Sequence, residues 1–262
     1  MYEYVYLILA QVLAYFTGSV YFSENVLVTQ NPSDISNSVS LFFYIIAATV
    51  LFLFLLHFFR KGVHVLEGLA IFFSSEIFFG AFLFFPLDLL LAGILVYLRF
   101  AFPRPRVLNT CLFFSVVGVA GILGASLDVL PVFLFAVILM VYDLVSVFIT
   151  RHMVYLAREV TSKPTALLAS FEDKRIAKKR RRKRFMIGGG DIVVPSLIFT
   201  SLMLRGYFLP SVFVLIFSAL GLSILKYLLI KYNRPLPALV ILVPFSLLGC
   251  IFGVVLGWLL GI

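Results

Sequence analysis

The sequence predicts an all-α polytopic membrane protein of nine transmembrane helices, six before and three after a basic cytoplasmic loop. Three observations carry that prediction. Hydrophobic residues make up 63% of the 262 and charged residues only 13%, whereas soluble domains hold roughly 45–50% apolar residues. Apolar stretches recur along the chain, each about 17–23 residues long and so able to cross a hydrocarbon layer of about 30 Å at about 1.5 Å per residue. The 21 Lys and Arg residues gather on one side of the membrane once these stretches are counted off.

The first stretch, 3–22, follows Glu3 rather than a basic segment and runs too long for a signal peptide, so no cleaved leader is expected. The second, 40–59, ends at Arg60 and Lys61, with His57 and His64 on either side. The third and fourth, 66–85 and 87–102, are parted only by the turn at Pro86, which also allows one long re-entrant pair. The fifth, 107–126, carries Gly118, Gly121 and Gly124, and the sixth, 130–150, carries Asp143. After a polar segment over 151–186, interrupted by Pro164, come 187–204, 208–230 and 236–261. Gly249, Gly253, Gly257 and Gly261 repeat every four residues on the last; such small-residue stripes read as close helix packing within the chain rather than contact between copies. The chain thus divides into a six-helix part over 1–150, a basic loop over 151–186 and a three-helix part over 187–262.

Charge placement sets the orientation. With the N-terminus inside, the inner loops hold Arg60 and Lys61, then Arg99, Arg104 and Arg106, then the run from Arg151 to Arg184, then Lys226, Lys231 and Arg234. Only Arg205 falls outside, together with Glu24, Asp34, Asp88 and Asp128. The N-terminus and the loop are therefore expected in the cytoplasm and the C-terminus outside. The net charge of +9 belongs to this anchor against anionic headgroups and not to nucleic-acid binding, because aromatic residues do not interleave the basic run. Cys111 and Cys250 lie in separate helices and read as packing residues, without a disulfide or CxxC site. The three histidines read as interfacial, so neither a metal nor an organic cofactor is expected.

A carboxylate inside the bilayer costs about 2.5–3.5 kcal/mol on insertion scales, so each one is a candidate for function. Glu76 reads as a protonated or hydrogen-bonded packing contact, with Gln11 and Ser74 as polar neighbours. Asp143 and Asp191 differ. Asp143 stands eight residues before Arg151 and Asp191 seven after Arg184, which places both roughly 10–12 Å below the same face. Their helices are consecutive and antiparallel, so the carboxylates can meet. Two carboxylates sharing a site do not both ionise cheaply. One ionised and one protonated carboxyl is what an aspartyl protease needs, the first to take a proton from water and the second to polarise the scissile carbonyl.

Gly188, Gly189 and Gly190 remove bulk ahead of Asp191, so an extended substrate backbone or a neighbouring helix can approach it closely. Pro235 and Pro237 open the ninth stretch at the same level. They predict either an irregular start with carbonyls facing the site or an ordinary helix with proline in its first turn.

Three motifs in order, Tyr142–Asp143, Gly188–Gly189–Gly190–Asp191 (GxGD) and Pro237–Ala238–Leu239 (PAL), together resemble the intramembrane aspartyl proteases of the presenilin and signal peptide peptidase family. The resemblance spans the chain, and the compact length is similar to microbial, archaeal members. It implies that Asp143 and Asp191 are the catalytic pair, that Tyr142 belongs to the first motif, and that Gly188 to Gly190 and Pro237 to Leu239 shape the active site and hold substrate. The partners implied are transmembrane-helix substrates and the lipid bilayer of the cell membrane. The segment GDIVVPS is closer to signal peptide peptidases, while the charge pattern gives the presenilin orientation. A helical substrate must unwind locally before attack, which suggests β-like pairing beside Gly188–Gly190, and water is expected to reach the pair through a polar cavity open to the cytoplasmic face. An ion- or proton-coupled transporter or channel would also use paired carboxylates; a prepilin-type peptidase would share GxGD without PAL; a structural scaffold would leave both carboxylates unexplained.

Overall fold

A computed structural model describes residues 2–29, 31–58, 60–148, 168–172, 184–232 and 236–261. Among them nine helices occur: α1 Tyr2–Ser23, α2 Ser36–Phe58, α3 Arg60–Gly80, α4 Leu87–Ala101, α5 Pro105–Ser126, α6 Val129–Phe148, α7 Gly189–Leu204, α8 Phe208–Tyr232 and α9 Leu239–Leu260. Most of the expected loop 151–186 lies outside the described residues, as do His152 and Pro235. The all-α expectation needs one correction there. Strands β1, Leu168–Glu172, and β2, Arg184–Gly188, pair antiparallel with Leu168 opposite Gly188. The seventh helix consequently begins at Gly189 and not at 187.

Five helices, α1, α5, α6, α8 and α9, are each long and apolar enough to cross a membrane. The apolar parts of α2 and α7 are shorter, and α4, at 15 residues, spans about 22 Å. The third helix starts six residues earlier than its apolar stretch, because Arg60 to Val65 are wound into it.

α7 sits at the centre. Its run from Val194 to Leu202 is buried throughout, as expected of a helix that is apolar on every side. Ile192 joins Leu7, Ala10 and Ala14 of α1, Val116 and Val117 of α5 and Leu242 of α9 in one core. Val194, Leu197 and Ile198 join Val132, Phe135 and Ala136 of α6 and Val243 of α9 in a second. The glycines of α5 each serve a different neighbour. A Cβ at Gly118 would collide with the Ser74 carbonyl of α3, at Gly121 with Ala14 and Thr17 of α1, and at Gly124 with Thr200 of α7. On α9, Gly249 and Gly253 meet the backbone of α8, whereas Gly261 is the left-handed C-cap, with φ of 69°, and packs against nothing within 4 Å.

Two charge assignments change. Arg99, expected in an inner loop, is buried in α4 and holds Glu67 of α3 through Nε–Oε1 and Nη2–Oε2 bonds of 2.9 and 3.0 Å. His64, expected as an interfacial residue, lies 3.9 Å from Glu67. The neighbours expected for Glu76 also go elsewhere: Gln11 donates to Ser218 of α8 at 2.8 Å, and Ser74 bonds back to Ala70 and Ile71 of its own helix. Cys111 and Cys250 are buried free thiols.

Candidate active site

Asp143 lies in the last two turns of α6, and Asp191 is the third residue of α7. A helix start leaves its first N–H groups without partners inside the helix, and the aligned peptide dipoles give that end a partial positive charge. Both carboxylates occupy such an end. Asp191 Oδ2 accepts the N–H of Gly188, the residue capping α7, at 3.1 Å. Asp143 Oδ2 accepts the N–H of Leu239, the first residue of α9, also at 3.1 Å. The two carboxylates are close enough to interact electrostatically, and each is half-buried.

The surrounding residues divide by role. Gly188 has φ of −68° and ψ of 148°, ordinary extended backbone, so its lack of a side chain matters for space alone: a Cβ there would stand 3.0 Å from Asp191 Oδ2. Gly189 opens α7. Gly190 is exposed, and nothing lies within 4 Å of where its Cβ would be. Pro237 and Ala238 are buried ahead of α9, and Ala238 caps it. The start at Pro237 is irregular, as the first of the two expected forms has it, while Pro235 lies outside the described residues. Proline precedes the helix instead of standing in its first turn, and the group turned to the carboxylate is an N–H donor rather than a carbonyl. The Tyr142 ring stands edge-on to Phe42 of α2 with 5.8 Å between centroids.

The face to which the expected polar cavity would open lies largely outside the described residues, and a different cavity flanks Asp191. A small cavity between α1, α7, α8 and α9 is walled by Leu7, Ile187, Ile192, Leu222 and Leu242, with Tyr6 and Glu3 at its edge. Glu3 is buried and takes a 3.0 Å ion pair from Lys226 of α8. Sequence reasoning missed this pair; the usable signal was that Lys226 stands well inside the eighth helix, near the level of Asp191. Among the described residues no group of three His, Cys, Asp or Glu could hold a metal ion.

A family model described as signal-peptide peptidase, presenilin aspartyl protease matches residues 4–260. The chain belongs to this family. Two solved structures, each of a presenilin family intramembrane aspartate protease, one in space group C222 and one in P2, share its fold. The first has a TM-score of 0.70 and 24% identity over 97% of this chain and 96% of its own; the second has 0.69 and 25% over 95% and 96%. No curated protein sequence matches. The signal-peptide peptidase and presenilin family is one of aspartyl proteases, and this member is a polytopic membrane enzyme of that kind. Nothing in these likenesses supports a transporter or channel.

Proposed function

We propose that Asp143 and Asp191 are the catalytic dyad and that the enzyme hydrolyses peptide bonds within transmembrane helices of other proteins. The observation that carries the reading is two half-buried carboxylates near enough to interact electrostatically, each accepting the leading N–H of a different helix. The ionised carboxylate removes a proton from water as the water oxygen bonds to the scissile carbonyl carbon, while the protonated one donates to the carbonyl oxygen. Collapse of the tetrahedral intermediate breaks the C–N bond, and the proton returns to the leaving amine. The positive helix ends favour the charged state of the pair. An unwound substrate lies extended beside Gly188–Gly190, with the open space at Gly190 receiving its backbone. The PAL segment shapes the opposite wall through Leu239. Nine helices cross the cell membrane, with the N-terminus and the 151–186 segment in the cytoplasm and the C-terminus outside, following the charge pattern. No cofactor takes part.

The test is cleavage of a labelled transmembrane peptide by the purified chain in detergent, wild type against Asp143→Asn and Asp191→Asn. Asparagine still accepts the helix N–H through its amide oxygen but cannot exchange the proton. Both variants are therefore expected to keep the melting temperature of the wild type and to lose activity by at least about 10³-fold, within the span seen when a working group is removed from a catalytic unit. Cleavage by either variant at the wild-type rate would reduce the carboxylates to helix caps.

A further inference from the structure

Arg205 is the one basic residue that the charge count leaves on the side away from the dyad, and nothing in the catalytic reading uses it. It terminates α7, and its guanidinium gathers the ends of three helices. Nε stands 2.6 Å from Asp128 Oδ1. Nη1 donates to the Gly124 carbonyl at 3.1 Å and to that of Ser201 at 3.3 Å, and Nη2 to that of Ala125 at 3.5 Å. Gly124 and Ala125 lie in the last turn of α5, where carbonyls lack helical partners and a cation is favoured by the dipole. Asp128 immediately precedes α6, and its Oδ1 also accepts the N–H of Val129 at 2.7 Å. A second tie runs alongside, Ser201 donating its hydroxyl to the buried Leu127 carbonyl at 3.0 Å.

The ion pair thus joins the far end of the helix carrying Asp143 to the far end of the helix carrying Asp191. The two arms match. From Asp128 to Asp143 is 15 residues and from Arg205 to Asp191 is 14, or about 22 Å and about 21 Å at the helical rise. Antiparallel helices held together at one end over equal arms bring their carboxylates to the same level at the other. We infer that Asp128 and Arg205 form a register lock, positioning residues that set the axial alignment of the dyad from the opposite end of the bundle.

This inference rests on Asp143 and Asp191 being the catalytic pair. With side chains 13% and 42% exposed, Arg205 and Asp128 contribute little stability as an isolated pair. What the guanidinium supplies is a planar fork with donors in fixed directions, which holds three helix ends in one relative placement. Displacement of a reacting group by about 1 Å costs about 100-fold in rate, so loss of the lock shows in turnover before it shows in folding.

The experiment places cysteines at the dyad, Asp143→Cys with Asp191→Cys, and measures the rate of their joining by a short bifunctional thiol reagent, with Arg205 present or replaced by Ala or Lys. In parallel, Arg205→Ala, Arg205→Lys and Asp128→Asn are made on the active enzyme and kcat, KM and Tm are measured. Asp128→Asn keeps an acceptor for Val129 while removing the charge. The lock predicts that Arg205→Ala slows cross-linking about tenfold and lowers kcat about 10–100-fold, with KM within about twofold and Tm within a few degrees. Lysine, which keeps the charge but not the fork, falls between; if the alanine variant does not fold, Lys and Asp128→Asn carry the test. Unchanged cross-linking with unchanged kcat overturns the inference, as does a fall in kcat that tracks Tm alone. Cysteines that fail to join even with Arg205 intact overturn the dyad reading instead.

Discussion

Gly188 and Gly190 precede the same aspartate, yet a methyl group added at each meets different surroundings. At Gly188 the new Cβ stands 3.0 Å from Asp191 Oδ2 and 3.6 Å from its Cγ, and ordinary contact begins at 3.4 Å. The carboxylate must therefore give way by 3.4 − 3.0 = 0.4 Å. The backbone at 188 suits alanine without strain, so the displacement falls on the carboxylate and on its 3.1 Å bond from the Gly188 N–H. Scaling about 100-fold per Å to this shift gives a loss in kcat of about sixfold, with KM and Tm close to wild type. At Gly190 the methyl enters open space. Gly190→Ala should fold as well or better, since alanine in a helix interior is favoured over glycine by up to about 1 kcal/mol, and should raise KM by filling the space the substrate backbone approaches. Steady-state cleavage of one labelled peptide, with melting curves for both variants, separates the two effects. A KM effect at Gly188 with a kcat effect at Gly190 would refute the reasoning, as would wild-type constants for both.

Two other expectations follow from charged side chains. Arg99→Met removes one partner of the buried Glu67–Arg99 pair and should cost about 3–5 kcal/mol in detergent unfolding, while Glu67→Leu with Arg99→Met should recover most of it; equal loss in the single and double variants would show that burial of the pair is not what costs. Asp34, exposed ahead of α2, accepts the Ser36 N–H at 2.9 Å, which holds its carboxyl below the usual value. A lowered folded value means stability present above the unfolded pKa and lost as pH falls through the folded one, so the Tm advantage of wild type over Asp34→Asn should shrink below about pH 4; an advantage constant through that range would contradict it.

The helix order was readable because apolar length is a local property of sequence, and the depths of Asp143 and Asp191 because each can be counted from a charged residue near its helix end. What could not be read depends on packing. Ile187 and Gly188 look like the start of a helix, and Arg184 to Met186 like loop, until Leu168–Glu172 lies beside them. Glu67 stood at the margin of an apolar window and Arg99 in a nominal loop; only the packing of α3 on α4 makes them a pair. The prolines near Leu239 announce a helix start, but that its N–H reaches Asp143 follows from where α9 docks. Arg205 was visible as an exception to the charge rule, and its partners, dispersed over α5, α6 and α7, were not.

The bond between Leu239 and Asp143 spans 96 residues, which gives the enzyme an order of assembly. A ribosome that has delivered α6 and α7 into the bilayer has supplied both carboxylates, but Asp143 acquires its donor only when the start of α9 arrives. On the proposed dyad, a nascent chain therefore inserts with an incomplete site until α9 docks, so synthesis itself delays the moment at which the protease can cut its neighbours.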